Sequence, residues 1–503
     1  MSGLEQLDLV GVADAIAGRD LSAREATAWA LQRLQTRGRQ LNAVFRIDAD
    51  EALARAAELD EHQARTGSTL GPLHGVPLAH KDLFGVAGRE CHGGSLVLRG
   101  NVATQTAWAL QRLDAAGQVN LGALHMAELA LSPTGYNAHH GHGLNPWDPA
   151  YACGGSSSGS GIAVAARLVF GSLGSDTGGS IRHPAAMCGV TGLKPTWRRV
   201  SAAGVLPLSA SLDCPGPMAQ SARDCARLLT LIARPNRADG LCTTRPAEDY
   251  EAALAGERGG DLRGLRIGVP QGYYRDGLDP EVAAALQASL DVLRHRGATL
   301  VAVGVPDMGL VNALAQLVMS VEAAALHRRS VAQRPQDFAE QVLRRIDPGF
   351  VYPATRYAEA LALRAPVAKE WVDQCLAGCD LVHLPTLMAT TPTIAATTEG
   401  EPDAVLQVIA RVTHATRGIN YLGLPAISVP AGFSRAGLPL AFQLVARPFA
   451  EARLLQAADA YQRETDWHRR LPPAPAASPS SLHATPLTRQ VKLQQSRRAS
   501  GKG

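Results

Sequence analysis

Apolar residues recur every three or four positions over residues 5–65, a periodicity that predicts helices at the start of the chain. Ser22 with Glu25 three residues later predicts a capping box that opens the second of these helices. Further helices are predicted over 103–116, 125–131, 162–168, 280–296, 308–329, 354–377 and 451–463. Short apolar runs predict strands over 75–80, 119–122, 265–269, 299–305, 381–384, 426–429 and 440–445. Strands that alternate with helices in this way predict an α/β fold.

Two segments break this pattern. Residues 133–153 are rich in Gly, Asn, Pro and aromatic residues, and they predict a long loop. The segment from residue 472 is first rich in Pro, Ala and Ser and then basic, which predicts a disordered basic tail over 471–503.

Composition and charge exclude several classes of protein. The net charge is +4, but residues 471–503 hold five basic and no acidic side chains, so the total of +4 less these five leaves −1 on the rest. A nearly neutral body argues against a nucleic-acid partner. No uninterrupted apolar run is long enough to span a membrane, and the N-terminus lacks a basic signal region. Eight cysteines without regular spacing do not indicate a disulfide framework. We therefore expect a cytoplasmic protein with no membrane partner.

The candidate chemistry is concentrated in a stretch of small residues over 153–195. Two serine- and glycine-rich clusters, 154–161 and 174–180, flank an apolar segment. Glycine lets a ligand approach backbone N–H groups closely. Clusters that also carry hydroxyls are suited to a serine nucleophile beside N–H donors that stabilise an oxyanion.

This stretch by itself leaves three other interpretations open. A phosphate-binding loop is disfavoured, because neither G-x-x-x-x-G-K-[ST] nor G-x-G-x-x-G after a strand is present. A hydrolase nucleophile elbow would use Ser157 within Gly155–Gly159, although no strand is predicted before it. The third interpretation assigns the glycines to tight turns and close packing alone.

Lysine usage singles out one further residue. The chain has five lysines and 44 arginines. Only lysine can lose its proton when buried, so arginine cannot replace it as an amine base. Lys81 lies within the apolar segment HGVPLAHKDLFGV and is the candidate base.

Four segments together resemble the amidase signature family. They are GPLHGVPLAHKDLFGV, GLNPWDPAYACGGSSSGSGIAVAA, GSDTGGSIRHPAAMCGVTGLKPTWRRVS and LGLPAISVPAGFSRAGLPLAFQLVARPFAEARLL, in the family's order. The resemblance extends over about residues 5–470. It implies a single α/β/α layered domain with a large mixed β-sheet over 1–470, a signature core at about 70–220, and a tail outside the family at 471–503.

The resemblance also implies a Ser–cis-Ser–Lys triad. Ser180 matches the nucleophile, and Ser156 matches the bridging serine, whose peptide bond to Gly155 is cis in the family. Lys81 matches the base. Small departures from the family pattern occur at Ser158, where glycine is more common, and at Ser175, where threonine is.

Other roles follow from the same resemblance. The oxyanion hole falls on the backbone N–H groups of Thr177, Gly178, Gly179 and Ser180. Four residues are expected to support the site, Ser157 and Ser175 by hydrogen bonding and Asp176 with Arg182 as a structural ion pair. Three more align with part of the family's acyl pocket, with ordinary core packing as the alternative: Met126, Leu129 and Tyr136.

The resemblance implies an amidase that hydrolyses a small-molecule carboxamide without a metal or an organic cofactor. His139, His140 and His142 lie in the loop that precedes the serine cluster, and no metal is expected there. A homodimer stays open. The alternative function is the glutaminase subunit of a tRNA-dependent amidotransferase, which releases ammonia for a partner enzyme. That branch usually carries Asp-Glu-Phe where this chain has Met126-Ala127-Glu128-Leu129.

Overall fold

Two β-sheets and sixteen α-helices make up residues 3–254 and 260–473, the part of the chain that this computed structural model describes. The strands are β1 Val44–Ile47, β2 Pro77–Lys81, β3 Val119–Leu124, β4 Gly171–Asp176, β5 Thr191–Lys194, β6 Cys214–Ala219, β7 Arg266–Pro270, β8 Thr299–Val303, β9 Leu381–Pro385, β10 Ala426–Phe433 and β11 Pro439–Ala446. The helices are α1 Leu9–Ala17, α2 Ala23–Arg33, α3 Ala49–Thr66, α4 Trp108–Ala115, α5 Ser158–Ala165, α6 Arg182–Cys188, α7 Ala222–Ile232, α8 Pro280–His295, α9 Met308–Gln333, α10 Glu340–Ile346, α11 Pro348–Val351, α12 Ala354–Cys375, α13 Ile394–Thr398, α14 Pro402–Thr413, α15 Arg417–Tyr421 and α16 Glu451–Glu464. The predicted disordered tail, apart from its first three residues, lies outside the described residues.

The larger sheet has eight strands in the order β4-β6-β5-β10-β11-β9-β7-β8. Neighbours from β4 to β9 pair antiparallel, whereas β9, β7 and β8 are parallel to one another. Helix α8 connects β7 to β8, so the predicted βαβ alternation is present. The sheet is therefore mixed.

Both faces of this sheet are covered at its centre. Every residue of β11, and all but the last of β10, is buried, although side chains on a strand point alternately to opposite faces. Helices α6, α8 and α16 pack on these central strands. A strand buried on both faces is typical of a sheet between two helical layers. The α/β class with a large mixed sheet is thus confirmed.

The smaller sheet has the order β1-β3-β2, and it places Lys81 at the carboxyl end of β2. Strands β2 and β3 are parallel, with Lys81 beside Leu124. All five residues of β2 are buried. Lys81, the predicted base of the triad, therefore lies on a buried strand rather than on a loop.

Most predicted elements have their counterparts, and the capping box of Ser22 and Glu25 is present. The predicted helix over 125–131 is wrong. Leu129 and Ala130 have positive φ angles of 48° and 62°, which an α-helix does not contain. The backbone N–H of Ala127 donates instead to the carbonyl of Ser156, so this segment supports the serine loop.

One helix in the described chain, α9, is long and apolar enough to cross a membrane by length and composition. One side of α9 is buried against other helices of the domain, including α11, α12 and α15. A core helix passes the same test of length and composition, so this is weak evidence for a membrane span.

Candidate active site

Lys81 and two serines form the centre of the site. Lys81 Nζ lies 2.8 Å from Ser156 Oγ and 2.8 Å from Ser175 Oγ. The lysine side chain is 1% exposed, so both contacts lie in a region closed to solvent. The Lys81 amine therefore has a serine hydroxyl as hydrogen-bond partner on each of two sides.

The environment favours the neutral amine. Burial lowers the pKa of Lys81 from 10.5 to about 7, and Asp213 and Asp176 oppose this shift only in part. Desolvation disfavours the charged form of a buried amine, whereas nearby carboxylates favour it. A substantial fraction of Lys81 is therefore unprotonated near neutral pH, as a proton acceptor requires.

The loop before α5 carries Ser156 and Ser157. The peptide bond between Gly155 and Ser156 is cis, as the resemblance implies. The Ser157 hydroxyl donates to the carbonyl of Ser175 and accepts from its backbone N–H. These contacts occupy the hydroxyl of Ser157, and the residues directly before it form no strand, which a nucleophile elbow would require.

Ser180 lies in the turn between β4 and α6. Its carbonyl accepts a hydrogen bond from the backbone N–H of Ser157 across 3.2 Å, which fastens the two serine loops together beside Lys81. The side chain retains slight exposure, 7%, whereas Ser156 has none. Within residues 3–254 and 260–473, the Ser180 hydroxyl makes no hydrogen bond, so it is free to meet a substrate.

Asp176 and Arg182 hold the turn around Ser180. The guanidinium donates through Nε to Oδ2 and through Nη2 to Oδ1, both at 3.0 Å, and both side chains are fully buried. Burial would raise the pKa of Asp176, but the charge of Arg182 outweighs it and holds that pKa below its usual range. Because Asp176 ends β4 and Arg182 begins α6, the ion pair joins the two ends of the turn that contains Ser180.

Asp176 also takes one of the four expected oxyanion donors. The backbone N–H of Gly179 donates to Asp176 Oδ1 across 2.7 Å. Within the described ranges, the N–H groups of Thr177, Gly178 and Ser180 have no such acceptor. Of the four N–H groups expected to form the oxyanion hole, these three therefore have no competing acceptor in the described residues.

Asp213 is a site residue that the sequence analysis missed. It is buried and accepts a hydrogen bond from the Thr177 hydroxyl across 2.6 Å, with two more from the backbone N–H groups of Leu208 and Ser209. Burial raises its pKa. Pairing of β4 with β6 sets Asp176 beside Cys214 and so brings Asp213 to the loop. No motif in the sequence marks this residue.

The expected acyl-pocket residues have different surroundings. Met126 and Leu129 are buried in the main hydrophobic core, which agrees with the core-packing alternative. Tyr136 is partly exposed and its ring contacts that of His142. These three side chains line neither of the two cavities described next.

The structure has a cavity at the site, which Ser175 and Asp213 help to line, and a second cavity that none of the triad or oxyanion-hole residues lines. One of about 400 Å³, which we call the apolar cavity, is lined by Ser175 and Asp213 together with aliphatic side chains such as Leu83 and Leu206. The other, of about 520 Å³, which we call the arginine cavity, is lined by residues of α9, α10 and α14 and by Arg417. A pocket of either size is typical of a small-molecule site.

The histidines of the loop before the serine cluster make separate contacts. His139 pairs with Glu128 at 3.1 Å, and the ring of His140 stacks on that of His92. The expectation that this loop holds no metal stays a prediction.

Comparison with known proteins places the chain among amidases. Residues 25–455 match the family described as Amidase. The chain is 38% identical over 495 residues to a Glutamyl-tRNA(Gln) amidotransferase subunit of Chloroflexus aggregans, covering 94% of this chain and 99% of that protein. It is similar in structure to the native peptide amidase from Stenotrophomonas maltophilia, with 31% identity, a TM-score of 0.79, and coverage of 92% and 98%. A vestigial protein complex described as revealing the evolutionary origins of an s-triazine catabolic enzyme contains a chain with 32% identity, a TM-score of 0.83, and coverage of 91% and 98%.

Proposed function

The chain belongs to the amidase signature family, and from this membership we propose that it hydrolyses a carboxamide through a covalent acyl-enzyme on Ser180. The family makes it a hydrolase of carbon–nitrogen amide bonds. One observation carries the finer proposal. A fully buried lysine with a lowered pKa lies 2.8 Å from the hydroxyl of Ser156, on a loop fastened to Ser180.

In the proposed acylation, a proton relay activates Ser180. Ser180 Oγ attacks the amide carbon as its proton passes to Ser156 Oγ and the proton of Ser156 passes to neutral Lys81 Nζ. The carbonyl oxygen becomes an oxyanion. Collapse of this intermediate breaks the C–N bond, and the departing nitrogen takes the proton back from Lys81 through Ser156. An ester on Ser180 and a free amine result.

Deacylation reverses the same relay with water. Water attacks the ester carbon and gives a proton through Ser156 to Lys81, which returns it to Ser180 Oγ as the carboxylic acid leaves. No metal or organic cofactor enters either step. We assign stabilisation of both oxyanions to the backbone N–H groups of Thr177, Gly178 and Ser180, which lack another acceptor in the described residues. Loss of one such donor typically costs about 3 kcal/mol.

A second candidate is supported by the names of the curated relatives. The relative from Chloroflexus aggregans is named as one subunit of an amidotransferase, so it assembles with other chains. This chain would then act as the amide-hydrolysing component of such a complex and require protein partners. The segment Met126-Ala127-Glu128-Leu129, where that branch usually carries Asp-Glu-Phe, speaks against it.

The test is a comparison of the wild-type chain with Ser180→Ala and Ser157→Ala against a panel of amides and esters. We expect Ser180→Ala to abolish turnover while leaving the folded structure intact by circular dichroism. We expect Ser157→Ala to keep measurable turnover. A labelled acyl group should be trapped on Ser180 by mass spectrometry. Retained hydrolysis by Ser180→Ala would refute the proposal. Hydrolysis only on addition of partner subunits would support the second candidate.

A further inference from the structure

The strands that carry Lys81 and Ser175 belong to different sheets. Strand β2 is at one edge of the smaller sheet, and β4 is at one edge of the larger sheet. The two strands lie against each other, but no ladder of backbone hydrogen bonds joins them within residues 3–254 and 260–473. One long backbone hydrogen bond connects their starts, from the N–H of Phe170 to the carbonyl of Pro77 across 3.5 Å. Side chains therefore have to set the rest of the register.

His80 supplies such a side chain. Its Nδ1 accepts a hydrogen bond from the backbone N–H of Leu173, in the middle of β4, across 3.1 Å. The backbone contact at the start of the two strands lies three residues earlier on each of them, so both contacts belong to one parallel register. The contact of Lys81 Nζ with Ser175 Oγ follows one residue later on β2 and two residues later on β4.

The hydrogen bonds of His80 identify its tautomer from both ends of the ring. A backbone N–H can only donate, so Nδ1 carries no proton. On the other side, Nε2 lies 3.0 Å from Gln118 Oε1, and Gln118 Nε2 donates to Asp114 Oδ1 across 2.8 Å. Since the amide nitrogen of Gln118 faces the carboxylate, its oxygen faces His80 and accepts a proton from Nε2. The two sides agree on the same neutral imidazole.

The surroundings keep this imidazole neutral. The side chain is buried, and its ring lies near that of Phe84. Burial lowers the pKa of His80 to about 4, and the hydrogen bond with Gln118 opposes this only in part. A protonated ring would have no acceptor for the N–H of Leu173. His80 therefore keeps its acceptor throughout the pH range in which Lys81 changes charge.

We propose that His80 is a positioning residue for the base: its Nδ1 holds β4 in the register at which Ser175 meets Lys81. This inference rests on the proposed function, because it concerns the base of that reaction. An imidazole acceptor here takes the place of a backbone carbonyl on a neighbouring strand. A slip of β4 by one residue would turn the Ser175 side chain to the opposite face and away from Lys81.

The test uses two variants that each keep one end of the imidazole. In His80→Asn, Oδ1 replaces Nδ1 as the acceptor for Leu173. In His80→Gln, the amide nitrogen replaces Nε2 as the donor to Gln118, and the acceptor for Leu173 is lost. We expect His80→Gln to lower kcat about tenfold, with little change in KM, and His80→Asn to stay within about threefold of the wild type. Equal values of kcat in the two variants would overturn the proposal.

Urea denaturation provides the control for this comparison. Each variant keeps one of the two hydrogen bonds of His80, so we expect similar free energies of unfolding. If the values of kcat follow these free energies instead of the presence of the acceptor, His80 has only a structural role.

A double-mutant cycle tests whether His80 acts through Ser175. We expect His80→Gln combined with Ser175→Ala to lose about tenfold in kcat in total, because both changes remove the same contact with Lys81. Losses that multiply to about a hundredfold would show that His80 acts independently of Ser175, and the proposal would be wrong.

Nitrogen-15 spectra of the imidazole test the wild-type protein itself. The His80 signals are assigned by their absence in His80→Asn. We expect a proton on Nε2 and none on Nδ1 at pH 7. A protonated Nδ1 would overturn the proposal without reference to any measurement of activity.

The charge state of Lys81 separates this inference from the proposed function. The chain has only five lysines, so carbon-13 labelling at Cε gives few signals, and that of Lys81 is assigned by its absence in Lys81→Met. Asp176 and Asp213 favour the charged form of Lys81 in every variant. The Ser175 hydroxyl, as an acceptor, also favours the charged form, so its displacement should lower the midpoint of titration further.

We expect the midpoint to fall by a similar amount in His80→Gln and in Ser175→Ala, and to stay at the wild-type value in His80→Asn. This result supports the inference even if the wild-type chain hydrolyses no amide. A midpoint that is unchanged or raised in His80→Gln refutes the inference even if Ser180 proves to be the nucleophile.

Discussion

Lys81 Nζ lies 2.8 Å from Ser175 Oγ, the same distance as from Ser156 Oγ. A neutral amine has two N–H donors and one lone pair. If Ser175 accepts one N–H, the lone pair is directed toward the Ser156 hydroxyl, which must give up its proton in the proposed relay. Ser175 is thus a positioning residue for the base.

We expect Ser175→Ala to reduce kcat about tenfold, the effect of about one hydrogen bond of 1.4 kcal/mol. Ser175→Thr keeps the hydroxyl and should retain most activity. The KM should change little, because Ser175 acts through Lys81. Steady-state kinetics on the best amide of the panel measures both quantities. An unchanged kcat in Ser175→Ala would show that Lys81 needs no second hydroxyl.

The pH dependence of activity should report Lys81. Protonated Lys81 cannot accept a proton, and its pKa is about 7. We therefore expect kcat/KM to fall about tenfold per pH unit below pH 7 and to level off above it. Lys81→Arg should be inactive at every pH, since guanidinium stays protonated. An acid limb centred well below pH 7 would point to a carboxylate instead of Lys81.

The same lysine should destabilise the fold at neutral pH. Its pKa is 10.5 in the unfolded chain and about 7 in the fold, so between these values only the unfolded state binds the proton. Stability then rises with pH through this window, and the full penalty applies below pH 7. At pH 7.5 we expect the free energy of unfolding of Lys81→Met to exceed that of the wild type by on the order of 2 kcal/mol, because removal of the charge penalty outweighs the loss of the lysine's hydrogen bonds. The gain in urea midpoint should shrink by pH 10. A gain in urea midpoint that stays the same from pH 7.5 to pH 10 would contradict this expectation.

The sequence located the reactive residues better than their surroundings. Lys81 and Ser156 lie in motifs whose residues are adjacent along the chain, and the structure places their side chains in contact. For Ser175 the sequence analysis predicts a supporting hydrogen bond but does not identify Lys81 as its partner. Its contact with Lys81 depends on how β4 lies beside β2, which periodicity does not reveal.

The sequence analysis does not predict strands β4 and β6, and their composition explains why. Strands β4 and β6 read GSLGSD and CPGPMA, rich in glycine, serine and proline, residues that normally disfavour strands. Their pairing is nevertheless what brings Asp213 to the nucleophile loop. Tertiary packing overrides local preference here. Helix α6 was missed similarly, because it is short and follows directly after the turn at Ser180.

The buried ion pair of Asp176 and Arg182 should matter far more for stability than an exposed one. Removing one partner of a fully buried pair leaves an uncompensated charge and typically costs about 3–5 kcal/mol, a large fraction of the total stability of most domains. We expect Arg182→Gln to lower the free energy of unfolding by about 3 kcal/mol or more. The control is Arg356→Gln, which breaks the exposed pair with Glu359 and should cost less than about 1 kcal/mol.

Urea denaturation followed by circular dichroism measures both changes. The pair also sets the turn that holds Ser180, so activity of Arg182→Gln should fall with its stability. Equal costs in the two variants would mean that Arg182 contributes no more than a surface charge.

Gly178 and Gly179 offer a matched test of the nucleophile turn. Gly179 has a φ of +129°, and a Cβ atom there would lie 2.1 Å from His183 Nε2. Gly178 has no such φ, and its nearest neighbour to a Cβ is 3.6 Å away. We expect Gly179→Ala to cost about 3 kcal/mol or more, through strain and displacement of His183, and Gly178→Ala about 1 kcal/mol at most. Thermal unfolding of the two variants compares these costs. Similar melting temperatures would mean that the turn can relax around a side chain at position 179, and then the loop at Ser180 is not held in the single conformation that the proposed oxyanion hole requires.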